Sequence, residues 1–178
     1  MEVMLESDEH LKASLILQHM DTDTATYILT KINDRHRACV LFANTRAEHQ
    51  CNYLEHMSSL ASPWSDVTSV QSTAALLERA VKSCLMTPVQ IARILEDMAI
   101  ENAAKILSAM DDGKMILILQ DMDADFMIEI LEELEKICGH GNIHVCLGAL
   151  AIEKVAKIVA ELEDSERAVD ILQNMEFQ

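Results

Sequence analysis

Glycine, proline and aromatic side chains are all scarce in this chain: 4 Gly, 2 Pro and 3% aromatics among 178 residues. So little Gly and Pro leaves few of the residues that tight turns need, and few rings leave little of what strands favour. A sheet-based fold is disfavoured, and the core must be aliphatic, drawn from Leu, Ile, Val, Ala and 11 Met. Basic residues are also few, with 14 Lys and Arg against 30 Asp and Glu and a net charge of −16. That balance opposes binding to nucleic acid or to anionic lipid, and favours a basic protein partner or cations. No apolar run reaches the length of a transmembrane helix. The acidic start (Glu2, Glu6, Asp8, Glu9) is unlike a secretory signal. The 5 Cys are odd in number and irregularly spaced, which predicts reduced thiols in a reducing, cytoplasmic compartment. There is no glycine-rich phosphate loop, no nucleophile elbow and no His-Glu-x-x-His. The chain is therefore expected to be non-enzymatic and without a cofactor.

What is present is a repeat. Residues 91–134 hold four copies of one pattern with a period of 12. The first position is Ile91, Ala103, Met115 and Met127. The second is Ile94, Ile106, Ile118 and Ile130; the third is Leu95, Leu107, Leu119 and Leu131. The fourth is Met98, Met110, Met122 and Leu134. Spacing i, i+3, i+4, i+7 puts all four side chains on one helical face. Each copy predicts a helix of about eight or nine residues and a tight turn. A helix that short is unstable alone and must bury its stripe against the helices before and after it. The expected fold is all-α: a right-handed superhelix, or solenoid, of about a dozen short helices.

The repeat extends outward from residues 91–134. Ala13, Ile16, Leu17 and Met20 fit it, and so do Ala25, Ile28, Leu29 and Ile32. It weakens at Arg37, Val40, Leu41 and Asn44, and resumes after a one-residue slip at Gln50, Tyr53, Leu54 and Met57. The polar first positions predict a shallow or partly exposed face there. Residues 58–70 are Ser-rich, hold the only Trp, and break the period. Ser62-Pro63 resembles a helix start, and a helix is predicted from about Ser72 to Leu85. Thr87-Pro88-Val89-Gln90 is a stronger start: Thr caps, Pro takes the first helical position, and Gln completes a capping box. Gly139, Gly141 and Asn142 mark a second break. Further copies are Ile143/Cys146/Leu147/Leu150, Val155/Ile158/Val159/Leu162 and Ala168/Ile171/Leu172/Met175. The expected division is a repeat block at 1–60, a connection and linking helix at 61–86, a central block at 87–137, and C-terminal repeats at 138–178.

Three constellations carry candidate chemistry. Asp121, Asp123, Asp125, Glu129 and Glu132 follow the acid spacing of an EF-hand loop, but Phe126 stands where that loop needs Gly. The repeat explains them better: Asp121 ends one helix, Asp123 caps the next, and the two Glu lie off its stripe. A weak, oxygen-ligated divalent site among Asp111, Asp123 and Asp125 remains as the metal candidate. Cys138, His140, His144 and Cys146 have zinc-like residue types, although Cys146 also fits a buried stripe position. Five His are scattered through the first block, with His19 and His56 expected to face solvent.

From residue 87 to 135 there are twelve Asp or Glu against Arg93, Lys105 and Lys114, a local net charge of −9. Capping needs one acid per turn, and Asp111, Asp112, Asp123 and Asp125 supply more. The surplus is expected to form a partner-binding edge, with Trp64 as a second contact candidate.

The phrase Ile-Leu-x-x-Met-Asp stands at Ile106-Leu107-Ser108-Ala109-Met110-Asp111. It continues at Leu119-Gln120-Asp121-Met122-Asp123, with an echo from Met20-Asp21 through Ala25, Ile28 and Leu29. It resembles the cytosolic N-terminal domain of MgtE-type magnesium transporters, and is similar to the helical repeats of the flagellar rotor protein FliG. The resemblance implies a superhelix of short helices. For MgtE it also implies a regulatory appendage whose acids, here Asp111, Asp123 and Asp21, help to sense weakly held magnesium. The Glu-His-Pro-Gln signature of FliG has only the echo Glu48-His49-Gln50, without its Pro. The expected function is a non-enzymatic scaffold or adaptor within a larger assembly, of flagellar or other motor type by resemblance. The alternative is a magnesium-responsive regulatory domain acting on a transporter.

Overall fold

A computed structural model describes residues 2–59, 69–138 and 152–161, with 148, 150 and 169 as isolated positions. Among the described residues the chain is all-α, with ten helices and no strand. They are α1 (Glu2–Gln18), α2 (Thr22–Lys31), α3 (Arg35–Ala43), α4 (Ala47–Ser59) and α5 (Ser69–Lys82). Then come α6 (Pro88–Glu96), α7 (Ile100–Ser108), α8 (Asp112–Asp121), α9 (Ala124–Cys138) and α10 (Ile152–Glu161).

Local chemistry sets where these helices start and stop. The Asp21 carboxylate accepts the Thr24 N–H at 2.9 Å and opens α2. Asp34 accepts His36 N–H at 2.9 Å and Arg37 N–H at 3.3 Å and opens α3. At α6 the predicted capping box is present: Gln90 N–H donates to Thr87 Oγ1 at 3.2 Å, and Thr87 N–H donates to Gln90 Oε1 at 2.9 Å. Pro88 occupies the first turn. At the end of α5, Leu85 N–H reaches back to Ala80 O at 3.0 Å and Cys84 N–H to Val81 O at 3.0 Å. This paired closure needs a left-handed residue, and Cys84 supplies it at φ 54°.

Packing follows one rule over most of the chain. Each helix packs on the second one after it: α1 on α3, α2 on α4, α3 on α5, α4 on α6, α5 on α7, α6 on α8, and α7 on α9. Odd-numbered helices thus follow one another, as do even-numbered ones. α5 touches α3, α4 and α7, and α10 packs on α9. The stripe of 91–134 is the centre of this packing. All four positions of all four copies are buried, and Ile91, Leu95, Ala103, Ile106, Leu107, Ile118, Leu119, Met127 and Ile130 are fully so. These short helices hold together because each buries an aliphatic face between two neighbours.

The first block differs from expectation in register. Ile16 and Met20 are exposed, and α1 turns Ser14, Leu17 and Gln18 inward instead. In α3 the buried residues are Ala38, Cys39, Leu41 and Phe42, with Thr45 buried just beyond it; Ala38, Leu41, Phe42 and Thr45 stand one residue along from Arg37, Val40, Leu41 and Asn44. The one-residue slip therefore falls before α3, not after it. Gln50, Tyr53, Leu54 and Met57 are all buried, so the polar first position is not shallow. The reason is hydrogen bonding. Gln50 Nε2 donates to Phe42 O and Thr45 O, both at 2.9 Å, and to Ala43 O at 3.3 Å, around the end of α3. Tyr53 OH donates to Leu17 O at 2.9 Å, and Ser14 Oγ to Leu41 O at 3.1 Å. Burial raises the Tyr53 hydroxyl above its ordinary pKa. Helix ends inside the first block are thus tied by buried polar side chains.

α10 carries the stripe Val155, Ile158 and Val159, the first two buried and the third half-buried. Leu150 is buried as well. The other C-terminal copies, Trp64 and Ser62-Pro63 lie outside the described residues.

Candidate interaction edge

The acids singled out from the sequence sit at the starts of α8 and α9. Asp111, Asp112, Asp123 and Asp125 are all exposed. Asp123 caps α9 as expected, its Oδ1 accepting Asp125 N–H at 3.0 Å. Asp111 does not cap α8 with its side chain; its carboxylate lies 3.7 Å from Lys114 Nζ instead.

Asp123 also has a cation near it. Lys154, on α10, donates Nζ to Leu119 O at 2.8 Å, to Gln120 O at 2.7 Å and to Met122 O, closing the end of α8. A positive charge on C-terminal carbonyls complements the helix dipole. Burial lowers the Lys154 pKa, while Asp121, Glu96 and Asp123 pull it back up. Asp121 and Asp123 thus lie within electrostatic reach of a half-buried ammonium. Among the described residues, no group of three or more His, Cys, Asp or Glu side chains is placed to hold a metal ion. The structure does not gather Asp111, Asp123 and Asp125 into such a group. In the zinc-like set, Cys138 ends α9, and His140, His144 and Cys146 lie outside the described residues.

Asp112 and Asp125 occupy the first turns of α8 and α9, and neither carboxylate makes an ion pair or hydrogen bond among the described residues. They are the surplus charges: Asp111 has Lys114, and Asp123 has the α9 backbone.

Two residue groups lack the properties of a reactive site. Cys39 and Cys51 are buried thiols that donate to Leu76 O and Asp97 O, each at 3.4 Å. Burial raises both, Cys51 to about 11 with help from Glu55 and Asp97. Neither is a thiolate at neutral pH. His19 is exposed as expected, whereas His56 is half-buried with its Nε2 3.4 Å from Asp23 Oδ1.

Sequence reasoning missed three glutamates. Glu78 Oε1 accepts Asp111 N–H at 2.6 Å, Glu96 Oε1 accepts Asp123 N–H at 2.6 Å, and Glu55 Oε1 accepts Ala99 N–H at 2.9 Å. Each directly follows a buried Leu, as Leu54-Glu55, Leu77-Glu78 and Leu95-Glu96, but that position does not reveal its distant partner.

No family model, curated protein or solved structure matches this chain.

Proposed function

We propose that this chain is a non-enzymatic helical scaffold that docks a basic protein surface along the acidic starts of α8 and α9, within a larger assembly. The reading includes a right-handed superhelix built on the 12-residue repeat, with resemblance to the MgtE N-terminal and FliG repeats as its nearest analogy. One observation carries the docking face: Asp112 and Asp125 stand exposed and unpaired among the described residues in the first turns of α8 and α9. They lie in a stretch of net charge −9. Asp111 and Asp123 flank them, and Trp64 is a further contact candidate. Uncompensated surface charge of one sign attracts a complementary surface and speeds encounter.

The test uses the full chain as bait, wild type against the double variant Asp112→Lys/Asp125→Lys. The variant leaves the Asp123 cap and the Asp111–Lys114 pair in place. It should keep its helical circular dichroism and lose the captured partner. Equal capture by a folded variant would place the contact elsewhere.

A further inference from the structure

The three unforeseen glutamates share a geometry that packing alone does not produce. α7 and α8 begin at Ala99 and Asp111, and neither residue makes a side-chain capping bond. α9 begins after Asp123, whose carboxylate is turned forward to Asp125 N–H. The backbone N–H groups of residues 99, 111 and 123, 12 residues apart, are taken up by glutamates from far back in the chain. Glu55 is on α4, Glu78 on α5 and Glu96 on α6. Each bond therefore joins a helix to the third one after it: α4 to α7, α5 to α8, α6 to α9. Packing joins mainly second neighbours, and it also crosses between the odd-numbered and even-numbered series, α2 on α3, α4 on α5 and α7, and α6 on α7. The glutamate bonds cross between the two series.

We propose that Glu55, Glu78 and Glu96 form a conformational lock that holds the two helix series in register against sliding. The chemistry suits that role. A carboxylate on a backbone N–H is a short, charge-assisted hydrogen bond, and a helix N-terminus adds a favourable dipole. Hydrophobic contact is non-directional, whereas a hydrogen bond fixes one donor against one acceptor. All three glutamates are half-buried. At α7 and α8, which have no side-chain cap of their own, the same bond also satisfies the backbone N–H at the helix start.

Amide hydrogen exchange on the full chain tests this, with variants Glu78→Ala, Glu96→Ala, Glu78→Gln and Glu96→Gln. Glu78→Ala should speed exchange at the Asp111 N–H by at least about tenfold and leave the Asp123 N–H unchanged. Glu96→Ala should do the reverse. The glutamine variants keep an oxygen acceptor and should stay within about threefold of wild type. Should an alanine variant unfold, Glu78→Met or Glu96→Met, which keeps side-chain length without an oxygen acceptor, decides: a fast amide in the folded variant supports the lock, and a slow one overturns it. Wild-type exchange in folded alanine variants also overturns it. So does acceleration spread evenly over all helices.

Discussion

Leu119→Ala probes the stacked core most sharply. Leu119 is fully buried on α8, with Met115, Ile118 and Met122 buried beside it. The substitution removes three carbon atoms, worth about 2.4 kcal/mol at ~0.8 kcal/mol per buried CH₂. The cavity left behind adds to this, for a total of roughly 2–5 kcal/mol. Little of that can be recovered by local rearrangement, because α8 has only 10 residues and leans on its neighbours for its existence. For a chain of this size the loss corresponds to a drop in Tm of roughly 5–15 °C. Urea and thermal unfolding followed by circular dichroism measure it, with Glu129→Ala as the control. Glu129 is exposed and off the stripe, and its loss should cost less than about 0.5 kcal/mol. Equal costs for the two variants would refute the assigned face.

Gln50→Leu should cost about 1–3 kcal/mol in the same assay, because the carbonyls of Phe42 and Thr45 lose a buried donor. Cys84→Gly should stabilise by about 1 kcal/mol, since φ 54° strains any residue with a Cβ and not glycine; a lower Tm would contradict the left-handed closure of α5. Backbone hydrogen bonds hold the Asp21 and Asp34 carboxyls below their ordinary 3.8, from Thr24 in the first case and from Arg37 and then His36 in the second. A depressed folded-state value means stability present above 3.8 and lost as pH falls through the lower folded values. Asp21→Asn/Asp34→Asn should therefore flatten the acid limb of the stability–pH profile below that point, and an unchanged limb would count against these caps.

Much of the fold was legible because the central block solves its packing with one device. From Ile91 to Leu134 the side chains that bury are the ones a 3.6-residue period selects, so periodicity alone located them. The first block was less legible because its helix ends are tied by polar side chains. Ser14, Gln18, Thr45 and Gln50 look like surface residues to any hydrophobic pattern, yet they are buried on carbonyls or beside them. This moved the register of α1 and α3 by one residue. The candidate edge was legible in part. Asp123 caps its helix as its position implied, but Asp111 does not, its carboxylate lying by Lys114 instead. Glu55, Glu78 and Glu96 were hidden because their partners lie 27 to 44 residues away, beyond the reach of helical spacing.

The docking claim is tested most directly by the affinity for the captured partner, titrated against salt for the wild type and for Asp112→Lys/Asp125→Lys. Exposed charges are screened beyond about 10 Å at 0.1 M ionic strength. The wild-type affinity should fall steadily as salt rises, and the variant should bind more weakly with a shallower salt dependence. Identical affinities that do not change with salt would contradict the acidic edge as the docking face.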